Sequence, residues 1–242
     1  MGRMQFEADP VRRGRGLARP ALAVLAVALV AWLAWDGWIR DNLAPRRFGV
    51  VEQGAVYRSG RLTPAAMARV KARHGIRTIV DLGAHDRDPA GEVLEARSAK
   101  ALGIERHVFP LEGDGTGNPN AYVEALRIMA DPRKQPVLVH CATGAQRTGA
   151  ACLLYGRLVQ GRDEEELAAD LGRFGHDPTR NTRMAPYLAQ WSEAIARAFR
   201  SGGSIEGQPS LAPAGETVVI PLGRGRPAAR QGVGAAPARG GD

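Results

Sequence analysis

The chain has 242 residues, with 33 Lys and Arg against 25 Asp and Glu and a net charge of +8. That length suits one ordinary domain with extensions, and only 2 cysteines exclude a disulfide scaffold. Nucleic-acid binding is also excluded, because the excess charge is spread along a mixed surface with no dense basic stripe interleaved with aromatics.

The first 20 residues are a basic segment carrying Arg3, Arg12, Arg13, Arg15 and Arg19. Residues 21–35 are then uninterrupted apolar sequence, and the run to Ile39 is broken only by Asp36 and Gly37. Its length approaches the roughly 20 residues that a bilayer crossing needs. Trp32, Trp35 and Trp38 near its end suit a membrane interface. Residues 21–39 are therefore expected to be a single transmembrane signal anchor with the bilayer as partner. A cleaved signal peptide is the alternative, although no small-x-small site follows the run.

The positive-inside rule places the arginine-rich end in the cytoplasm and the catalytic domain outside it, periplasmic in a bacterium. Arg40, Arg46 and Arg47 on the other flank weaken that asymmetry, and a reactive thiolate is at risk in an oxidising compartment.

After a linker at 40–47, residues 48–199 form the expected catalytic domain. A short strand over 55–58 leads to a helix over 64–74, with Thr63 as its cap, Pro64 in its first turn and Gly75 as its stop. The pattern then predicts a strand over 77–82, a helix over 90–102 ended by Gly103, and a strand over 104–109. A helix from 118–119 to 129, a strand over 136–140 and helices from Thr148, Glu164 and Ala185 complete it. Strands alternating with helices predict an α/β fold, a parallel sheet of four to five strands covered by helices. Residues 200–242, rich in Gly, Pro, Ala and Arg, are expected to be a disordered tail, with Thr217 to Leu222 as an apolar patch in it.

The chemistry is concentrated at 140–149, His-Cys-Ala-Thr-Gly-Ala-Gln-Arg-Thr-Gly. A strand, a tight loop and a helix in that order aim successive backbone N–H groups and the positive end of a helix at one spot, which suits an anion. The same field favours thiolate over thiol at Cys141, making it a nucleophile. Arg147 supplies the planar fork that holds two oxygens of a phosphoryl group at once. Ala142, Thr143, Gly144, Ala145 and Gln146 line the cradle, with Gly144 suited to positive φ at its apex, and the Thr148 hydroxyl can donate to the sulfur when it departs. Taken singly, each of these residues has an ordinary structural explanation; their joint spacing does not.

This segment resembles the signature of the cysteine-dependent protein tyrosine and dual-specificity phosphatases: His-Cys, five residues, Arg, then Ser or Thr. A weaker likeness, Val56-Tyr57-Arg58-Ser59-Gly60-Arg61-Leu62, is similar to the opening strand and turn of bacterial dual-specificity-like phosphatases. Together they cover about residues 48 to 199. The resemblance implies a phosphatase-like fold and hydrolysis of phosphomonoesters through a phosphocysteine, with Cys141 as nucleophile, Arg147 as phosphate clamp and Thr148 as the thiolate's hydroxyl partner. It also implies a mechanism with no metal and no cofactor.

The general acid and base is expected to be Asp114, in the loop before the helix that precedes the signature strand, where the family keeps its acid. Asp88, Asp86 and Glu112 are the alternatives. The expected substrate is a phosphorylated protein or small phosphomonoester. Because residues 142–146 contain no cation, a densely charged substrate is disfavoured, although Arg58, Arg61 and Arg87 on neighbouring loops offer partial compensation. The competing readings are a phosphoinositide phosphatase and a catalytically weak phosphate-recognition module; a pure binder has no need of the thiolate.

Overall fold

The structure, a computed structural model, describes residues 18–34 and 45–211. It begins with α1 (Ala18–Ala34), 17 residues long, whose side chains from Leu22 to Val30 are exposed. Among the described residues no helix is long and apolar enough to cross a membrane. The expected span 21–39 is thus covered only to Ala34; its remainder, like Thr217 to Leu222, lies outside the described residues.

The folded part starts with the hairpin β1 (Gly49–Glu52) and β2 (Val56–Gly60), followed by α2 (Pro64–His74) and β3 (Thr78–Asp81). Next come α3 (Pro89–Ala101), β4 (Glu105–Val108), α4 (Pro119–Ala130) and β5 (Val137–Cys141). Three helices end it: α5 (Gln146–Leu158), α6 (Glu164–Arg173) and α7 (Met184–Ser201).

The sheet runs β1-β2-β5-β3-β4 and is mixed, which corrects the expectation of a parallel sheet. β1 pairs antiparallel with β2, while β2, β5, β3 and β4 are parallel. The hairpin strand β1 is four residues long and half exposed, too short for an alternation to show in the sequence.

β5 is central and buried along its whole length, which its run Val-Leu-Val matches. Side chains alternate across it: Val137, Val139 and Cys141 join the core formed with α4, α5 and α7, whereas Leu138 joins the smaller core under α2 and α3. In register, Gly60 of β2 lies beside Cys141 and Asp81 of β3 beside His140. The carboxyl ends of three strands therefore meet at the signature loop, where ligands bind in open α/β sheets.

Residues 202–211, the described part of the expected disordered tail, are held to the domain, while 212–242 lie outside the described residues. Ile205 is buried in the main core, and its amide donates to Asn120 Oδ1 at 2.8 Å. Asn118 and Asn120 donate to the Pro209 carbonyl at 2.8 and 3.1 Å. These contacts hold residues 202–211 to the start of α4, so the ordered unit extends past residue 199.

Candidate active site

Residues 142–145 connect β5 to α5, and the loop is pinned from below. Arg61 N donates to the Ala142 carbonyl at 3.3 Å, Arg47 Nη1 to the Thr143 carbonyl at 3.0 Å and Arg58 Nη2 to the Gly144 carbonyl at 2.6 Å. With these carbonyls tied down, the Gly144 amide donates to Cys141 Sγ at 3.3 Å and that of Ala145 to Thr143 Oγ1 at 3.4 Å. Arg58, expected on a neighbouring loop where its charge would help a substrate, instead lies in β2, 2% exposed, with its guanidinium stacked 3.9 Å over the Phe174 ring. It is a strut beneath the cradle.

Gly144 takes φ +76, and a Cβ there would lie 2.6 Å from Gly60 N and from the Ser59 carbonyl carbon. Left-handed backbone costs a side chain about 1–2 kcal/mol, and here the clash is with immovable backbone. Gly144→Ala is therefore expected to lower the melting temperature and to weaken vanadate binding at least tenfold, by an estimate of about 1.4 kcal/mol per decade. Unchanged inhibition would show that the cradle does not depend on this turn.

Cys141 is buried at the end of β5. Burial pushes its thiol up, but the Arg147 charge, the Thr148 hydroxyl and amide, and the Gly144 amide outweigh it and lower the pKa. The Thr148 hydroxyl is fully buried beside Cys141 and makes no hydrogen bond of regular geometry. At the other free cysteine, Cys152, burial dominates: with the Cys141 and Asp170 charges it raises the thiol against the pull of Arg58.

Arg147, 4% exposed, is oriented by two carbonyls: its Nη1 donates to Gly83 O at 2.5 Å and to Leu111 O at 3.2 Å. Those carbonyls belong to the loops after β3 and β4. Its buried Nε has no partner, so a donor remains available to an anion.

A buried set of charges, not foreseen from the sequence, lies behind the motif. Glu95 of α3 sits 2.9 Å from His140 Nε2, in an ion pair too oblique to be a directed hydrogen bond, and 2.7 Å from His85 Nε2. Arg106 reaches Glu95 at 3.2 Å, Glu92 at 2.7 Å and Asp81 at 2.5 Å. Asp81 in turn accepts from the amides of Gly83 and Ala84 at 2.8 and 2.7 Å, fixing the loop whose carbonyl holds Arg147. Asp81, Glu95 and His140 are close enough together to hold a metal, but the Arg106 guanidinium already occupies their carboxylates.

Burial opposes the charge on His140, but Glu95 and Asp81 outweigh it and push its pKa up to about 9. A histidine whose folded pKa exceeds its unfolded value, 6.5, contributes stability that is complete below pH 6.5 and lost as pH rises through about 9. His85, raised by its hydrogen bond to Glu95, acts in the same direction. Glu95→Gln is expected to flatten the fall in urea stability across that window; a slope equal to wild type would remove Glu95 as its cause.

Asp114 occupies a tight turn between Leu111 and Thr116, packed near the signature loop: a Cβ on Gly115 would lie 3.6 Å from the Gln146 carbonyl carbon. Its Oδ1 accepts from the Thr116 amide at 3.0 Å and hydroxyl at 2.7 Å, and its Oδ2 pairs with Arg183 at 2.9 Å. Burial raises its pKa, but the Thr116 donors and then Arg183 win, holding it below the usual carboxylate value.

Of the alternatives, Asp86 reaches Arg147 Nη1 at 3.7 Å. Asp88 caps α3 through the Gly91 amide at 3.0 Å and pairs with Arg61 at 3.7 Å. The cap explains its place in the sequence without any chemistry.

Residues 46–185 match the family described as DSP-PTPase phosphatase fused to NAD+ kinase. The chain belongs to this family. Among curated relatives, it is 26% identical over 122 residues to the tyrosine-protein phosphatase-like protein OCA2 of Saccharomyces cerevisiae, covering 50% of the chain and 60% of the relative. It is 32% identical over 115 residues to the inositol diphosphatase DSP3 of Arabidopsis thaliana, covering 46% and 52%. The chain thus spans little more than half the length of these relatives.

Similar solved folds include the catalytic core of the PP-IP phosphatase SIW14 of S. cerevisiae, with TM-score 0.52, 21% identity and coverage of 66% of this chain and 94% of that one. TpbA of P. aeruginosa gives TM-score 0.52, 21% identity and coverage of 64% and 91%. These likenesses bear on the fold, an α/β phosphatase fold with a mostly parallel five-stranded sheet.

Proposed function

We propose that the chain is a phosphoric monoester hydrolase of the tyrosine and dual-specificity type, working through a phosphocysteine. The observation that carries this reading is the pairing at one sheet edge of a thiol with lowered pKa and a buried arginine held by two carbonyls with a donor to spare.

The Cys141 thiolate attacks phosphorus while Arg147 and the amides of residues 142–146 hold the phosphoryl oxygens. As the sulfur–phosphorus bond forms, the bond to the leaving oxygen breaks, and Asp114 gives that oxygen its proton. Water then attacks the phosphocysteine, returning a proton to the Asp114 carboxylate. The thiolate departs with Thr148 donating to it, and inorganic phosphate is released. Asp114 must be protonated for the first step, so its pair with Arg183 has to open when the substrate dianion arrives.

Substrates are phosphotyrosine, phosphoserine or phosphothreonine residues or a small phosphomonoester. A phosphoinositide or inositol phosphate is the second reading, favoured by the names of DSP3 and SIW14 and by the exposed Arg61 and Arg183 near the loop. The neutral side chains at 142–146 favour the first.

The anchor also remains part of the proposal: residues 21–39 hold the protein in a bilayer, with the catalytic domain extracytoplasmic. Its support is the exposed, wholly apolar surface from Leu22 to Val30.

The test is turnover of p-nitrophenyl phosphate by the full chain in detergent, with EDTA and a reductant, for wild type and Asp114→Ala. Turnover in EDTA, with a kcat loss in the variant of about 100-fold or more, is expected. Phosphate binding without turnover would favour the recognition module.

A further inference from the structure

The segment joining α6 to α7, residues 174–183, touches the signature loop and the acid loop together. His176 Nδ1 lies 2.6 Å from Gln146 Oε1, and Arg183 pairs with Asp114. Between them lies Asn181, 9% exposed, whose side-chain amide is fully used.

Its Nδ2 donates to the Asp114 carbonyl at 2.7 Å and to Gln146 Oε1 at 2.9 Å. Its Oδ1 accepts from the amides of Arg183 and Met184 at 3.2 and 3.3 Å, closing the first turn of α7. Only a carboxamide does all of this: the two donors need N–H and the cap needs an oxygen. The far side of the acid loop is held separately, by the hydroxyls of Tyr122 on Gly115 O at 2.6 Å and Tyr187 on Gly117 O at 3.1 Å. Asn181 thus makes hydrogen bonds both to the residue carrying the candidate acid and to a residue of the cradle.

We propose that Asn181 is a positioning residue that docks the Asp114 loop onto the signature loop and so sets the reach of the acid to the leaving oxygen. The proposal rests on the phosphatase reading above. An acid one ångström out of place loses its effect on poor leaving groups first, because good ones depart without a proton.

Asn181→Asp isolates the docking. It keeps the shape and the oxygen that caps α7, but turns a carboxylate oxygen against the Asp114 carbonyl and Gln146 Oε1, where two donors stood. The experiment measures kcat for an alkyl phosphate and for 2,4-dinitrophenyl phosphate, together with hydrogen exchange across residues 112–117.

The expected result is a kcat ratio between the two esters changed at least about tenfold, the alkyl ester losing more, with KM for the activated ester little altered. Exchange across 112–117 is expected to rise about tenfold while that of α4 stays as in wild type. Equal losses on both esters would overturn the proposal, because a structural defect acts on both. Wild type that turns over neither ester would sink the phosphatase reading instead; the docking is then judged by exchange alone, and unchanged protection at 112–117 overturns it.

Discussion

Cys141→Ser is expected to abolish turnover of every phosphomonoester, by about four orders of magnitude or more, while vanadate and phosphate still bind. The substitution changes one atom in a site whose charge is otherwise intact. Against burial, the Arg147 guanidinium, the Thr148 hydroxyl and the Gly144 amide lower the pKa of the Cys141 thiol. The same field leaves an alcohol protonated, so the cradle fills but nothing attacks. Activity against pH follows with a definite sign: the acid limb of kcat/KM in wild type lies below the usual thiol range, because the thiolate is the reactive form. Full turnover by the serine variant would mean that the sulfur is not the nucleophile.

Arg147→Lys is expected to cost about 100- to 1,000-fold in kcat/KM, with part of the loss in binding. Arg147 Nη1 donates to the carbonyls of both Gly83 and Leu111, which in the proposed reaction leaves Nε for the phosphoryl group. An ammonium keeps the charge but has no fork, and it cannot serve two carbonyls and two phosphoryl oxygens from one nitrogen. It would also leave the Gly83 carbonyl without its buried donor, loosening the loop after β3. Inhibition by vanadate and the kcat for an activated aryl ester, measured together, separate the two effects. A loss below tenfold in both would mean that charge alone suffices.

Much of the frame was legible because its signals are local. Thr63 accepts from the Ala66 amide and Gly75 sits at φ +69, so α2 begins and ends where its cap and its glycine say. The signature loop announced itself by spacing, and its strand by an apolar run between a proline and the motif. β1 did not: four residues paired on one side carry too little pattern.

The supports of the site were hidden for a different reason. Arg58 reads as a surface arginine until Gly144 and Phe174 are brought to it. Asp81, Glu95, Arg106 and His140 come from four separate elements, and no periodicity within one element reports a partner in another. Asn181 sits in a stretch of turn-forming residues, where an asparagine is expected for backbone reasons alone. Residues 202–211 have the composition of a linker, whereas Ile205 and the Pro209 carbonyl find partners at the start of α4.

The central claim, a phosphocysteine on Cys141, is tested most directly by quenching a single turnover of an activated aryl phosphate in alkaline denaturant, where the sulfur–phosphorus bond survives, and mapping the modified peptide by mass. The account predicts one added phosphoryl group on the peptide carrying Cys141, accumulating in Asp114→Ala and absent in Cys141→Ser. A phosphoryl group on any other residue, or full turnover with none ever trapped in either protein, would contradict it.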